Sequence, residues 1–324
     1  VAVIKAKPEK FVPLALGAIQ RELITPMVVT RVGNTTFNNA LNDTVTIRVG
    51  ELRAVARDYE WRTRTAPIQM DDIQGGEGIA IKLDTHITSA TSLTLEHLTL
   101  DDIDFTNEVL VPQATAVAGR LESKVIAALQ AAPFKREMEV PAGSDPHLVA
   151  VEARRLLNAD KIAPKAGRFF LIGSDVEAEW LTSDRLSKYD STGQTGTPAL
   201  RDAIIGRLAG IPVVVSETLP ADFAMLLHRT ALVLGNVAPV VPQGARIGRR
   251  TALNGMAMTW LQDYDADYAR DRSLFHTFAG ITSVQDERDA NGVLLPEEQL
   301  TNNVRGVRIN YTGLGPVFPP VVTP

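Results

Sequence analysis

Asp263, Asp265 and Asp267 stand at alternate positions, the spacing with which a calcium loop begins. Such a loop also needs glycine at its sixth place and a bidentate acid at its twelfth. Those places hold Tyr268 and Leu274, so the segment reads as solvated acids beside a turn. His86, His97, His147, His228 and His276 are scattered, and no two have the i, i+4 spacing of a helical zinc site. His86 and His97 fall on opposite parities of one strand-like leg, which separates them. Zero cysteines exclude disulfides, thiolate metal sites and thiol nucleophiles. Gly75-Gly76-Glu77-Gly78 lacks the Lys-Ser/Thr and the following helix of a phosphate loop, and it reads as a hairpin turn. Gly173-Ser174-Asp175 is not a nucleophile elbow, because Val176 fills the place where glycine is needed. Ser174 with Glu177 reads instead as a capping box. Arg53, Arg57, Arg62 and Arg64 interleave with Asp58 and Glu60, a pattern that favours ion pairs between chains over nucleic-acid contacts. No catalytic residue, metal site or cofactor is predicted.

These arginines lie in a long segment that alternates with period two. Val45, Ile47, Val49, Val55, Tyr59 and Trp61 take odd positions, and Ile79, Ile81, Leu83, Ile87, Leu93 and Leu95 do so again. Alternation of this kind marks strands with one dry face, reversed here by the turn from Gln74 to Gly78. At about 3.3 Å per residue, each leg reaches several tens of ångströms. A two-stranded ribbon is marginal in water by itself, so this arm is expected to lie on another copy of the protein.

Composition narrows the class. Hydrophobic residues make up 45% and charged residues 22%, as in soluble globular proteins with room for about two domains. No run approaches the roughly 18 apolar residues of a membrane span, and Pro8 breaks the opening stretch too early for a signal peptide. A net charge of −5 argues against nucleic-acid binding as the main activity.

Elsewhere the spacing predicts an amphipathic helix over 8–25 that Pro26 ends, and a long helix over 101–132. Asp101, Asp102 and Asp104 suit the positive end of that long helix, and Pro112 is expected to kink or split it. Residues 142–237 read as a compact α/β domain, with a helix capped by Ser144 or Asp145, a strand at 168–172 and buried strands at 211–216 and 223–235. Thr192, Gly193, Gln194 and Gly196 belong to a flexible loop. Residues 246–284 return to strand alternation. The Asn-, Gly- and Pro-rich tail from 285 to 324 reads as an extended arm with one short strand at 307–311.

Several strings resemble the major capsid proteins of tailed bacteriophages, the Hong Kong-type or Johnson fold, and most of all the Salmonella-phage coat proteins. Asn42-Asp43-Thr44-Val45-Thr46-Ile47 and Arg57-Asp58-Tyr59 are similar to the entry of that family's extended loop. Leu98 to Asp104 resembles the acidic start of its spine helix, and Gly206 to Pro220 its axial-domain signature. The resemblance implies an α+β fold with an N-terminal arm at 1–41, an extended β loop at 42–99 and a spine helix at 101–132. It further implies a peripheral domain of 100–141 and 238–284, an axial domain at 142–237 and a C-terminal arm at 285–324. Arg53, Arg57, Asp58, Tyr59, Glu60, Trp61, Arg62 and Arg64 would then make inter-subunit contacts. The implied function is a non-enzymatic shell of pentamers and hexamers around double-stranded DNA, without sequence-specific binding. The implied partners are scaffolding, portal and decoration proteins, and the implied location is a virion assembled in the host cytoplasm. An encapsulin-type cellular shell and an enzyme on the 142–237 domain are the alternatives.

Overall fold

The computed structural model describes residues 23–33, 44–48, 56, 58–59, 61–64, 67–68, 70, 78–94, 105–160, 162, 167–181, 204–253, 256–268, 270–286 and 301–314. In chain order their elements are α1 (Thr25–Val28), β1 (Thr30–Val32), β2 (Thr44–Arg48), β3 (Gly78–Lys82), β4 (Thr85–Thr94), a π-helical stretch (Phe105–Leu110), α2 (Val111–Ala131), β5 (Phe134–Pro141), α3 (Pro146–Ala159), β6 (Arg168–Ile172), α4 (Ser174–Leu181), β7 (Ile204–Leu208), β8 (Ile211–Val215), β9 (Phe223–His228), β10 (Leu232–Val237), β11 (Ile247–Leu253), β12 (Met256–Asp265), β13 (Arg270–Ser283) and β14 (Asn303–Thr312).

The first sheet is organised by β13, whose Ser273, Phe275, Thr277 and Ala279 are buried on one face, as strand alternation requires. At 14 residues it is long enough for three partners. β4 runs antiparallel along one edge, from Ala279↔Thr85 to Arg270↔Thr94. β12 and β10 follow one another along the opposite edge, and beyond them lie β11 and β1. Where β10 gives way to β12, backbone amides risk being orphaned. Fully buried Asn236 meets that need: its Oδ1 accepts from the Ala257 amide, and its Nδ2 donates to Thr277 Oγ1 at 2.8 Å.

The second sheet has the order β5-β14-β9-β6-β8-β7. All five residues of β6 are buried, because the sheet is covered on both faces and a continuous apolar run serves both. Phe169 and Leu171 join a core with Leu121, Val125 and Leu129 of α2 and with Met258, Trp260 and Phe275 of the first sheet. Phe170 and Ile172 face the other way, onto Val149, Ala153 and Leu157 of α3 and Val176 and Trp180 of α4. α2 thus lies in the core between the sheets, and α3 and α4 cover the outer face of the second. Among the described residues, no helix is long and apolar enough to cross a membrane.

Several expectations change on this scaffold. Pro26 lies in the first turn of α1, where a missing amide hydrogen costs nothing, and the helix expected over 8–25 falls almost wholly outside the described residues. Pro112 likewise lies at the start of α2, at the change from π to α geometry, so the helical path continues across it. Ser174 makes no capping bond. The Asp175 and Val176 amides donate to the Ala221 carbonyl at 3.0 and 3.4 Å, and a Cβ on Gly173 would come within 2.0 Å of the Pro220 oxygen. The two strands within 223–235 belong to different sheets, β9 to the second and β10 to the first. The expected short strand in the C-terminal arm is a ten-residue interior strand, β14, parallel to β5 and antiparallel to β9. Residues 85–94 pair with β13 of the body and not with the first leg of the arm.

Candidate assembly surface

The root of the arm is built into the body. β2 and β3 pair antiparallel from Thr44↔Lys82 to Arg48↔Gly78. The odd-position residues of β3 face inward as expected: Ile81 is fully buried with Val32, Val233 and Val284, and Ile79 and Leu83 pack beside it. Thr282 Oγ1 of β13 donates to the Ala80 carbonyl at 3.2 Å. The Lys82 carbonyl approaches Gly280 so closely that a Cβ there would stand 2.0 Å from it. Glycine is required at that position because two backbones touch.

Between the paired strands, the described residues of the arm are exposed. Trp61 is 65% and Met70 97% accessible, and Tyr59 and Ile68 are also exposed. The Arg62 guanidinium lies 5.2 Å from the centre of the Trp61 ring, a stacking contact that keeps the charge in water. Arg64 has φ +48° and donates from Nε to the Trp61 carbonyl at 3.3 Å, closing a turn over residues 61–64. Asp58 is exposed. Arg53, Arg57 and Glu60 lie outside the described residues, as do Asp101, Asp102, Asp104, Thr192, Gly193, Gln194 and Gly196.

On the outer face of the first sheet lies an open groove of about 650 Å³, lined by Ala90 and Ser92 of β4, Leu261 and Asp263 of β12, and Arg272 and Leu274 of β13. Its charges neutralise one another, with Arg272 Nη2 at 2.7 Å from Asp263 Oδ2 and Arg270 Nε at 3.5 Å from Asp265 Oδ2. Leu261 and Leu274 contribute apolar surface to it. The alternating acids are therefore hairpin residues held by cross-strand arginines, beside the turn where sequence placed them.

Two polar centres arise only from distant pairing in the fold. His86 Nε2 and His276 Nδ1 stand 3.1 Å apart, and His276 Nε2 is buried with no partner. Burial, and then the neighbouring His86, hold the His276 imidazole below its ordinary pKa. Their 190-residue separation hides the pair until β4 is known to lie on β13. The second centre is Glu122 of α2, 2% exposed, whose Oε1 accepts from Ser216 Oγ at 2.8 Å and from Thr25 Oγ1 at 3.2 Å. It joins the segment around α1, the long helix and the end of β8.

No family model matches the chain, and neither does any curated protein. Solved structures do. The capsid of Ralstonia phage GP4 superposes with a TM-score of 0.59 at 10% identity, covering 93% of this chain and 92% of that one. The capsid of cyanophage P-SCSP1u gives 0.56 at 12% identity, over 90% and 88%. A virus-like particle from Pyrococcus furiosus gives 0.50 at 11% identity, over 93% and 98%. The narrower likeness to Salmonella-phage coat proteins gains no support from these structures. With its two six-stranded sheets and long central helix, the chain has the α+β fold of phage capsid proteins.

Proposed function

We propose that this chain is the major structural subunit of a tailed-phage head, assembling into pentamers and hexamers that tile an icosahedral shell around double-stranded DNA. One observation carries the reading: a phage capsid fold bears Tyr59, Trp61, Ile68 and Met70 exposed on a segment whose root is fixed to the body. Exposed apolar residues grouped in this way mark an interaction site, and Trp, Tyr and Arg are the side chains that most often anchor interfaces. The arm of one copy lies over the peripheral region of the next, where the groove beside Leu261 and Leu274 offers apolar surface. Such a head-to-tail contact closes into rings, and many modest contacts acting together hold the shell. A net charge of −5 suits a container that holds DNA without adhering to it.

In this reading 1–41 is the N-terminal arm, 42–99 the extended loop with its inter-subunit residues, 101–132 the spine, and 142–237 the axial domain. The chain performs no turnover, works with scaffolding, portal and decoration proteins, and assembles in the host cytoplasm before residing in the virion.

Deletion of Glu51 to Gly78 tests the assignment. The expected product is folded and soluble but forms no shells in negative-stain images, whereas the intact chain does. Normal shells from the deletion variant would refute the role given to the arm. A second reading, a cellular shell enclosing a protein cargo, is favoured by the likeness to the Pyrococcus particle. Purified shells that carry a protein cargo and no nucleic acid would select it.

A further inference from the structure

Among the described residues β11 is an edge strand, paired with β12 alone. Its free edge carries Arg249 and Arg250, and Arg246 directly precedes it. Arg249 lies opposite Trp260 and Arg250 opposite Thr259, so the two project to opposite faces and straddle the edge. Among the described residues none of the three has an ion-pair partner, and Arg250 Nε is buried without a hydrogen-bond partner. By contrast the arginines of β13 on the same sheet, Arg270 and Arg272, are both engaged by carboxylates.

The opposite deficit occurs on the second sheet. Asp175 and Glu177 of α4 stand beside Glu217 and Asp222 of the turns that join β8 to β9, and backbone bonds from Gly173, Asp175 and Val176 fix the two segments together. Among the described residues no cation pairs with these four acids. Burial and then Glu217 raise the Glu177 carboxyl above its ordinary pKa, as expected for acids crowded without a counter-charge.

We infer that the arginine-straddled edge of β11 docks on the acidic patch at the start of α4 in a second copy of this chain. The two surfaces are opposite in sign, each unmatched among the described residues, and lie beside different sheets. Two complementary surfaces on one chain make a heterologous contact, the kind that propagates around a ring. The contact also covers an edge strand that would otherwise offer unpaired backbone groups to solvent. This contact rests on the shell reading and adds to it a joint that does not involve the arm.

The test is a charge exchange in the full chain. R249E/R250E and E217K/D222K are each expected to lower the assembled fraction about tenfold by sedimentation, with circular dichroism and thermal midpoint unchanged. The four-fold variant, with signs exchanged on both surfaces, is expected to restore assembly to within about twofold of wild type. Assembly by R249E/R250E at wild-type level overturns the contact, as does a four-fold variant no better than its parents. Rescue of R249E/R250E by D71K/D72K in place of E217K/D222K assigns the edge to the arm and also overturns it. Loss of co-purifying nucleic acid with assembly intact overturns it in favour of a polyanion site. A wild-type chain that stays monomeric under all conditions overturns the shell reading and this contact together.

Discussion

Glu122 offers the sharpest test of how the body is held together. It is a nearly fully buried carboxyl group with no ion-pair partner among the described residues, satisfied by donors from two distant segments. Ser216 Oγ donates at 2.8 Å and Thr25 Oγ1 at 3.2 Å, while the Ile24 and Thr25 amides lie at 3.4 and 3.5 Å. Hydrogen bonds to a charged group contribute about 1.5–3 kcal/mol each, and the long amide contacts count for little. Glu122→Ala should therefore cost about 3–5 kcal/mol, near the upper end of single-residue effects. Glu122→Gln keeps the shape but turns one acceptor into a donor facing donors, and should cost about 2 kcal/mol. For a chain of 324 residues the cost of the alanine variant corresponds to a fall in thermal midpoint of about 6 °C. Hydrogen exchange supplies the local signature: protection should fall at residues 24–28 and around Ser216 before it falls elsewhere. An alanine variant that melts within about 2 °C of wild type, with unchanged protection at both segments, would refute the reasoning.

Two further perturbations have defined outcomes. Gly280→Ala places a Cβ 2.0 Å from the Lys82 carbonyl and should cost roughly 3 kcal/mol or more in a denaturant titration. Gly248→Ala meets only rotatable side chains, Val241 at 2.3 Å and Leu261 at 3.0 Å, and should cost about 1 kcal/mol. The His276 pKa is depressed in the folded state, so the unfolded chain takes up the proton first as pH falls below about 6.5. Stability contributed by the neutral imidazole is thus present above that pH and lost as pH falls toward the depressed value. Thermal midpoints at pH 7.5 and 5.5 should differ less in His276→Gln than in wild type.

What the sequence disclosed depended on whether local pattern or distant pairing decided the element. β6 was legible because four consecutive apolar residues, Phe169 to Ile172, serve two cores, and α3 because Asp145 accepts from the His147 amide at 2.9 Å as a cap should. Parity along β3 correctly placed Ile81 inside. β14 was concealed by Arg305, Gly306 and Arg308, residues that argue against an interior strand. Each is accommodated by a distant partner: Asp286 lies 2.5 Å from Arg305, and Glu137 lies 3.2 Å from Arg308. Gly306 leaves room for the Phe134 ring, 2.5 Å from where a Cβ would stand. A buried ion pair is tolerated only when its geometry is supplied by the whole fold, so a single strand's sequence cannot announce it. The same reason hid the contact of β4 with β13. That contact gives the second leg of the arm a partner on its own body and leaves the exposed need to the segment around Trp61.

This division bears on how the proposed assembly gains affinity. A loop attached by a floppy tether would lose conformational freedom on docking, and that loss opposes binding. Here the base of the arm is ordered before any partner arrives, through buried Ile81, the Thr282–Ala80 hydrogen bond and the backbone contact at Gly280. Damage at Gly280 should therefore weaken assembly even when enough folded protein survives, because it loosens the base and leaves the contact residues of the arm untouched. A Gly280→Ala protein that is folded at low temperature yet assembles as readily as wild type would separate the two functions and show that the root needs no rigidity.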